Sequence, residues 1–96
     1  MSEYNNPAEE EFLTFSEALE ALKDWQRITR FGWNWKNMFA YYVPANEYPA
    51  QTEAAKKHIW ETVKYRAYIA LKTAQWDVAT WSPSGSDVLE NDWFIL

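Results

Sequence analysis

The chain has 96 residues, no cysteine and a formal net charge of −5 at pH 7. This length suits one domain, and the negative charge argues against general DNA or RNA binding, which usually needs a basic face. No apolar run approaches the ~18 residues of a membrane helix, and the acidic N-terminus lacks the basic start of a signal peptide. The absence of cysteine fits a reducing compartment. We therefore expect a cytoplasmic protein whose partners include neither nucleic acid nor membrane.

The N-terminal part of the chain predicts a tail followed by a helix. Residues 1–11 are acidic with little to bury, which predicts disorder, so a single domain is expected at residues 12–96. Thr14 and Glu17 match the capping box that begins a helix. The apolar residues that follow have helical spacing and predict an amphipathic helix ending near Asp24. These apolar residues are Phe15, Ala18, Leu19 and Leu22.

The middle of the chain predicts two strands, a loop and a second helix. Residues 25–30 and 38–43 favour an antiparallel pair of strands, joined through the segment at residues 32–37. Residues 44–49 are predicted to be a loop because proline bounds them at both ends. Residues 52–63 have helical spacing of alanine, isoleucine and valine, and predict a helix.

The last third of the chain predicts a hairpin, a helical turn and a final strand. Residues 65–73 alternate as a strand does, with residues 77–81 as the hairpin partner. Ser84 and Asp87 form a second capping-box pattern, and residues 93–96 close the chain as an apolar strand. The complete order predicts an α+β fold with a small antiparallel sheet.

Residues 25–42 concentrate seven of the eighteen aromatic side chains and three of the nine basic ones. A nucleotide base gains roughly 1–3 kcal/mol by stacking on an aromatic ring, and its phosphates need Arg or Lys as charged donors. The same composition also suits the core of a small domain. Both interpretations, ligand pocket and core, follow from the residues alone.

The sequence gives little support for a catalytic site or a metal site. His58 is the only histidine, and it has no second His or Cys to complete a metal site. No serine lies in a nucleophile-elbow motif, and two glycines cannot build a phosphate loop. Asp87, Glu90 and Asp92 form an acidic cluster, in which Asp87 suits a helix cap and Asp92 could accept a hydrogen bond from a ribose or from backbone. We expect no catalytic residue, no metal and no cofactor.

Trp33 and Asn34 form a more specific pair. The amide of Asn34 offers a donor and an acceptor in one plane, which suits a base edge or a ribose. The alternative is an Asx turn between two strands.

Several separated blocks of the sequence resemble one family, the small phage and bacterial domain named after the type-two Thoeris anti-defence protein. The similarity covers most of residues 12–96, and its most specific parts are the pattern WN-x-K-x-M and the closing DVL-x-x-DW. The blocks lie at residues 15–30, 32–38, 43–56 and 68–93.

The resemblance implies a phage-encoded sponge. Members of this family form homo-oligomers, typically tetramers, and bind signalling nucleotides of bacterial immunity, notably cyclic ADP-ribose isomers, in pockets at subunit boundaries. They sequester the messenger without cleaving it. The family motifs fall on Trp33, Asn34, Lys36 and Met38 and on Ser84, Asp87, Asp92 and Trp93. Within this implied pocket, we expect Trp33 to stack on the base and Asn34 to hydrogen-bond the ligand. Arg30 or Lys36 would meet phosphate, and Ser84 and Asp87 would form part of the wall.

The chain departs from the family at four positions where glycine is usual: Trp25, Trp35, Asn37 and Trp76. Glycine at such positions commonly marks a positive φ or a close backbone approach. Trp35 could fill part of the pocket or pack on a neighbouring subunit.

Two alternatives remain beside the sponge. In the first, the pocket is lost and the aromatic residues form a surface of a structural or protein-interaction module. In the second, Asp87 or Asp92 hydrolyses the bound nucleotide.

Overall fold

The computed structural model describes residues 11–34 and 36–96, without the side chain of Asn34. Its first element is the helix α1 (Phe15–Lys23). The Thr14 hydroxyl accepts a hydrogen bond from the backbone N–H of Glu17, and the Glu17 carboxylate accepts one from the N–H of Thr14, so the predicted capping box is confirmed. The predicted tail at residues 1–11 lies outside the described residues except for Glu11.

Ten further elements follow α1 in the described part of the chain. In order they are β1 (Ile28–Arg30), α2 (Phe31–Asn34), β2 (Phe39–Val43), β3 (Asn46–Pro49), α3 (Glu53–His58), β4 (Thr62–Tyr65), β5 (Tyr68–Lys72), β6 (Val78–Thr80), α4 (Gly85–Leu89) and β7 (Trp93–Ile95).

Five strands form one antiparallel sheet in the order β6-β5-β2-β1-β7, and β3 and β4 form a separate antiparallel hairpin. The predicted α+β class with an antiparallel sheet is therefore confirmed. Ile28 lies opposite Ala40 in the register of β1 and β2, and Arg30 lies opposite Trp93 in that of β1 and β7. The second pairing brings the end of β1 beside the last strand of the chain.

The main core lies between α1 and one face of the five-stranded sheet. Its fully buried members are Ala18, Leu22, Ile28, Ala40 and Trp93. Ala18 and Leu22 come from the apolar stripe of α1, as the helical spacing predicts. Because successive side chains on a strand point to opposite faces, the neighbours of Ala40 on β2 include Phe39 on the face turned away from α1.

Residues 44–67, which we call the arm, correct two predictions. The predicted loop at 44–49 contains β3, and the predicted helix at 52–63 ends at His58, so that Thr62 and Val63 belong to β4. The β-branched side chains of Thr62 and Val63 favour a strand, and Val63 becomes buried where it pairs with Tyr48. A strand partner distant in sequence thus overrides the helical spacing.

Three smaller corrections concern strand limits and a turn. The first strand begins at Ile28 rather than at Trp25, whose φ of 68° is incompatible with a strand. The connecting segment carries the one-turn helix α2. The predicted strand at 65–73 is divided, because β4 ends at Tyr65 and β5 begins at Tyr68.

Candidate functional site

Arg30, at the end of β1, is the centre of a charged network. Its Nε donates to Asp92 Oδ1 at 2.9 Å, its Nη1 to Asp87 Oδ1 at 3.0 Å and its Nη2 to Asp92 Oδ2 at 3.4 Å. A Glu90 carboxylate oxygen lies 4.0 Å from Nη2. Burial alone would lower the pKa of Arg30, but the hydrogen bonds and charges of Asp92 and then Asp87 raise it above the ordinary value.

Asp87 divides its carboxylate between Arg30 and a helix cap. Its second oxygen accepts from the Ser84 backbone N–H at 3.0 Å and from the Ser84 hydroxyl at 2.9 Å, while Ser84 Oγ accepts from the Asp87 N–H. This confirms the capping box predicted for α4. Burial alone would raise the pKa of Asp87, but the hydrogen bonds from Ser84 and then from Arg30 lower it below its ordinary value of 3.8.

Three tryptophans pack beside this network. The ring centroid of Trp33 lies 5.4 Å from that of Trp81 and 5.2 Å from that of Trp93, both edge to face. Trp93 is fully buried, its Nε1 donates to the Asp87 carbonyl at 2.9 Å, and the Arg30 guanidinium lies 5.8 Å from its ring centre. Trp33 is half-buried. We call Arg30, Trp33, Asp87, Asp92 and Trp93 the motif cluster.

The remaining predicted site residues, Asn34, Lys36 and Met38, follow Trp33 in the chain. Lys36 is exposed, and its backbone N–H donates to the Trp33 carbonyl at 2.9 Å. Met38 is half-buried, and its carbonyl accepts from the Thr29 hydroxyl at 2.7 Å. Asn34 is the last residue of α2, and its side chain is not among the described parts of the structure. The first motif therefore continues from the cluster along the connection between β1 and β2.

The chain adopts a left-handed backbone at three of the four positions where the resembling family usually has glycine. Trp25 has a φ of 68°, Asn37 of 55° and Trp76 of 66°, whereas Trp35 lies outside the described residues. Asn tolerates this region comparatively well, but a tryptophan there is strained. Glycine would adopt this backbone without strain, whereas Trp25 and Trp76 occupy it at a cost.

A second concentration of aromatic and basic side chains lies on the sheet face turned away from α1 and at its rim, and five of its seven lining residues belong to the segment 25–42 singled out in the sequence. It forms a groove of about 420 Å³. The lining residues are Trp25, Arg27, Phe39, Tyr41, Tyr42, Lys72 and Val78. The regular alternation of Phe39 and Tyr41 in β2 was the signal in the sequence that could have revealed it.

The described residues contain neither a cluster suited to a metal ion nor a helix suited to a membrane. No group of three or more His, Cys, Asp and Glu side chains in residues 11–34 and 36–96 is arranged to hold a metal ion. The same part of the chain contains no helix with the length and apolar character needed to cross a membrane.

Both motifs lie within the part of the chain that matches known proteins. A family model described as the Thoeris anti-defense 2-like domain matches residues 13–96, which include all of the motif cluster. The protein named Thoeris anti-defense 2 of Bacillus phage SP01 is 33% identical over 84 residues, an alignment that covers 88% of this chain and 94% of the phage protein. The matches support a role in phage anti-defence. The chain belongs to the Thoeris anti-defense 2-like family.

Proposed function

We propose that this protein binds and sequesters a nucleotide second messenger of bacterial immunity, a cyclic ADP-ribose isomer or a related cyclic nucleotide, and leaves it intact. One observation carries the proposal. The members of the motif cluster come from two distant segments and meet at one end of the sheet, where Trp33 is half-buried and the exposed Lys36 donates its backbone N–H to the Trp33 carbonyl. An aromatic face and a cation are the two groups that a nucleotide requires.

The roles divide between contact and support. Trp33 stacks on the base, Asn34 hydrogen-bonds the ligand and Lys36 meets the phosphates. Arg30 is the weaker candidate for phosphate, because its guanidinium is already held by Asp87 at 3.0 Å and by Asp92 at 2.9 Å. Met38, Ser84, Asp87 and Asp92 form the wall and its support.

Electrostatics favour sequestration over hydrolysis. A general acid at neutral pH needs a raised pKa, whereas the pKa of Asp87 is lowered. A carboxylate with a low pKa is also a weak general base. The ion pair between Asp92 and Arg30 further engages both oxygens of that side chain. The acidic residues beside the proposed pocket are therefore suited to structure and not to catalysis.

Assembly into a homo-oligomer, of which a tetramer is the expected form, completes the proposed pocket at a subunit boundary. Large apolar side chains are exposed next to the motif cluster: Leu89 is 80% exposed, and Val88 and Phe31 are about two-fifths exposed. A second copy covering them would exclude water, which strengthens hydrogen bonds and charge interactions with the ligand. In this proposal the sponge acts in the host cytoplasm, where the messenger is made.

Isothermal titration calorimetry with cyclic ADP-ribose isomers and cyclic dinucleotides tests the proposal. We expect a dissociation constant of about 1 μM or lower for at least one of them. Asn34→Ala should weaken binding at least about tenfold, because it removes hydrogen bonds from a desolvated site. Asn46→Ala, at an exposed amide in β3, serves as the matched control. The proposal fails if every nucleotide gives no heat of binding at micromolar protein.

An interaction module is the second candidate, and the packing of Trp33 favours it. Two indoles already meet the Trp33 ring edge to face, as they would in a core that holds no ligand. Native mass spectrometry of the full chain separates the candidates. A co-purifying nucleotide lost in Asn34→Ala supports the sponge, whereas an oligomer that never carries nucleotide and binds none when it is added supports the module.

A further inference from the structure

The groove lined by Trp25, Phe39 and Tyr41, here called the aromatic groove, has the form of a small-molecule site. Phe39 lies opposite Lys72 in the register of β2 and β5, and Lys72 lies opposite Val78 in that of β5 and β6. Their side chains therefore share one face of the sheet. The volume of about 420 Å³ falls within the range of ligand pockets, roughly 300–1,000 Å³.

The groove contains a buried cation that has no counter-ion within the described part of the chain. Lys72 is only 6% exposed, and its ammonium donates to the Asn37 carbonyl at 2.6 Å and lies 3.4 Å from the ring centre of Trp76. It takes part in none of the ion pairs of the described residues. Burying a charge that no opposite charge compensates is unfavourable. An anion in the groove would provide the missing charge.

Arg27 is a second basic residue in the lining of the groove. The guanidinium carbon of Arg27 lies 5.0 Å from the ring centre of Phe39, and none of the seven lining residues is acidic. The groove thus combines aromatic surfaces with positive charge, a chemistry that fits a planar ring carrying an anionic group.

Strained residues border the same groove. The left-handed Trp25 lines it, the left-handed Trp76 covers the ammonium of Lys72, and the left-handed Asn37 supplies the carbonyl that Lys72 contacts. Trp25 is 67% exposed and Trp76 is 73% exposed, so neither strained backbone is compensated by burial of its indole. Strain that persists in this way clusters at ligand sites.

We propose that the aromatic groove is a second ligand site, which binds a planar aromatic ring bearing a carboxylate or a phosphate. The ring packs against Trp25 and the aromatic side chains of β2, and the anionic group approaches Lys72 Nζ. This site is separate from the motif cluster, and it holds its ligand whether or not the motif cluster binds a messenger.

Equilibrium dialysis of the full chain tests this site with two anions and their neutral counterparts. The probes are adenosine monophosphate against adenosine, and 2-naphthoate against 2-naphthalenemethanol. We expect at least one anion to bind at least tenfold more tightly than its neutral partner. Preference for the phosphate identifies a nucleotide as the source of the chemistry, and preference for naphthoate identifies an aromatic acid. Equal retention of charged and neutral probes, or no retention of either anion at millimolar concentration, overturns the proposal.

Variants separate this site from the protein surface in general. The double change Trp25→Gly and Trp76→Gly removes both indoles where glycine accepts the backbone, and should weaken anion binding at least tenfold in a folded protein. Lys72→Met keeps the bulk of the side chain and should abolish the preference for the anion. Trp60→Ala, at an indole of the arm that is 74% exposed, should stay within twofold of the unaltered chain. The proposal is wrong if Trp60→Ala weakens binding as much as the double variant, or if the double variant binds normally.

Discussion

The motif cluster and the aromatic groove both place a positive charge beside aromatic rings, but they differ in the groups that surround this charge. In the motif cluster, the guanidinium of Arg30 is matched by two carboxylates, and Trp93 donates its indole proton to the Asp87 carbonyl. In the groove, the buried ammonium of Lys72 contacts a carbonyl and aromatic faces, and it has no counter-ion among the described residues. The cation of the motif cluster is therefore paired with carboxylates, whereas Lys72 is not paired within residues 11–34 and 36–96.

The polar side chains of the closing pattern DVL-x-x-DW mainly support the motif cluster. The closing pattern on which the resemblance rests includes Ser84, Asp87, Asp92 and Trp93, and in the structure these residues chiefly bind one another and Arg30. They fix the orientation of the tryptophans and the start of α4. A recurrent polar motif can therefore mark the support of a binding site as much as the contacts to its ligand.

Removal of the cation from the motif cluster should have the largest effect on the stability of the protein. Arg30→Met leaves the partly buried carboxylates of Asp87 and Asp92 without a cation, and should lower the free energy of unfolding by about 2 kcal/mol, between the values for exposed and fully buried pairs. Urea denaturation monitored by tryptophan fluorescence measures it. Lys64→Met, which removes an exposed pair with Glu47 at 3.8 Å, should cost less than about 0.5 kcal/mol. Equal costs for the two variants would contradict the role given to Arg30.

A smaller effect measures the strain at the edge of the groove. Trp25→Gly should be more stable than Trp25→Ala by about 1 kcal/mol, because both lose the indole and only glycine accepts the φ of 68° without strain. At Trp60, where φ is not positive, the order should reverse by roughly 0.5 kcal/mol because glycine is more flexible in the unfolded chain. Thermal and urea unfolding of the four variants provide the comparison. If alanine is the more stable replacement at both positions, Trp25 is not strained.

The smallest effect is a dependence of stability on acid pH. Since the pKa of Asp87 is lower in the folded protein than its ordinary value of 3.8, its stabilising contribution is complete above about pH 4 and is lost as pH falls through the folded pKa. Scanning calorimetry between pH 6 and pH 2 should show a steeper loss of Tm below pH 4 for the unaltered chain than for Asp87→Asn. Parallel curves would mean that the ionised carboxylate of Asp87 contributes nothing.

Local chemistry made part of this structure predictable. Both capping boxes, at Thr14 and at Ser84, form as the sequence pattern indicates, because the residues that make them lie three positions apart. The apolar stripe of α1 and the alternation within β5 are also local patterns, and they support the helix and the strand that the sequence predicts. The hairpin of the arm was not predictable, because β3 forms only by pairing with β4. Pro44 before this strand and Pro49 at its end both favour a loop.

The charged network and the groove depend on contacts that no local pattern contains. Arg30 meets Asp87 and Asp92 across 57 and 62 positions of the chain, so the sequence allowed it to be interpreted as a phosphate ligand. Lys72 occupied an alternating position of a predicted strand, and its burial against Asn37 and Trp76 requires the folded sheet. The resemblance to a family identified where the motifs lie, but not which of their members are already engaged.

Recovery of the bound messenger is the most direct test of the proposed sponge. The protein is mixed with a cyclic ADP-ribose isomer, freed of unbound ligand by gel filtration and denatured, and the released small molecule is identified by mass spectrometry. The account predicts that the intact cyclic nucleotide returns in near-stoichiometric amount, and that Asn34→Ala returns little. Recovery of a linear or hydrolysed product would contradict sequestration without cleavage, and recovery of nothing from the unaltered chain would contradict binding itself.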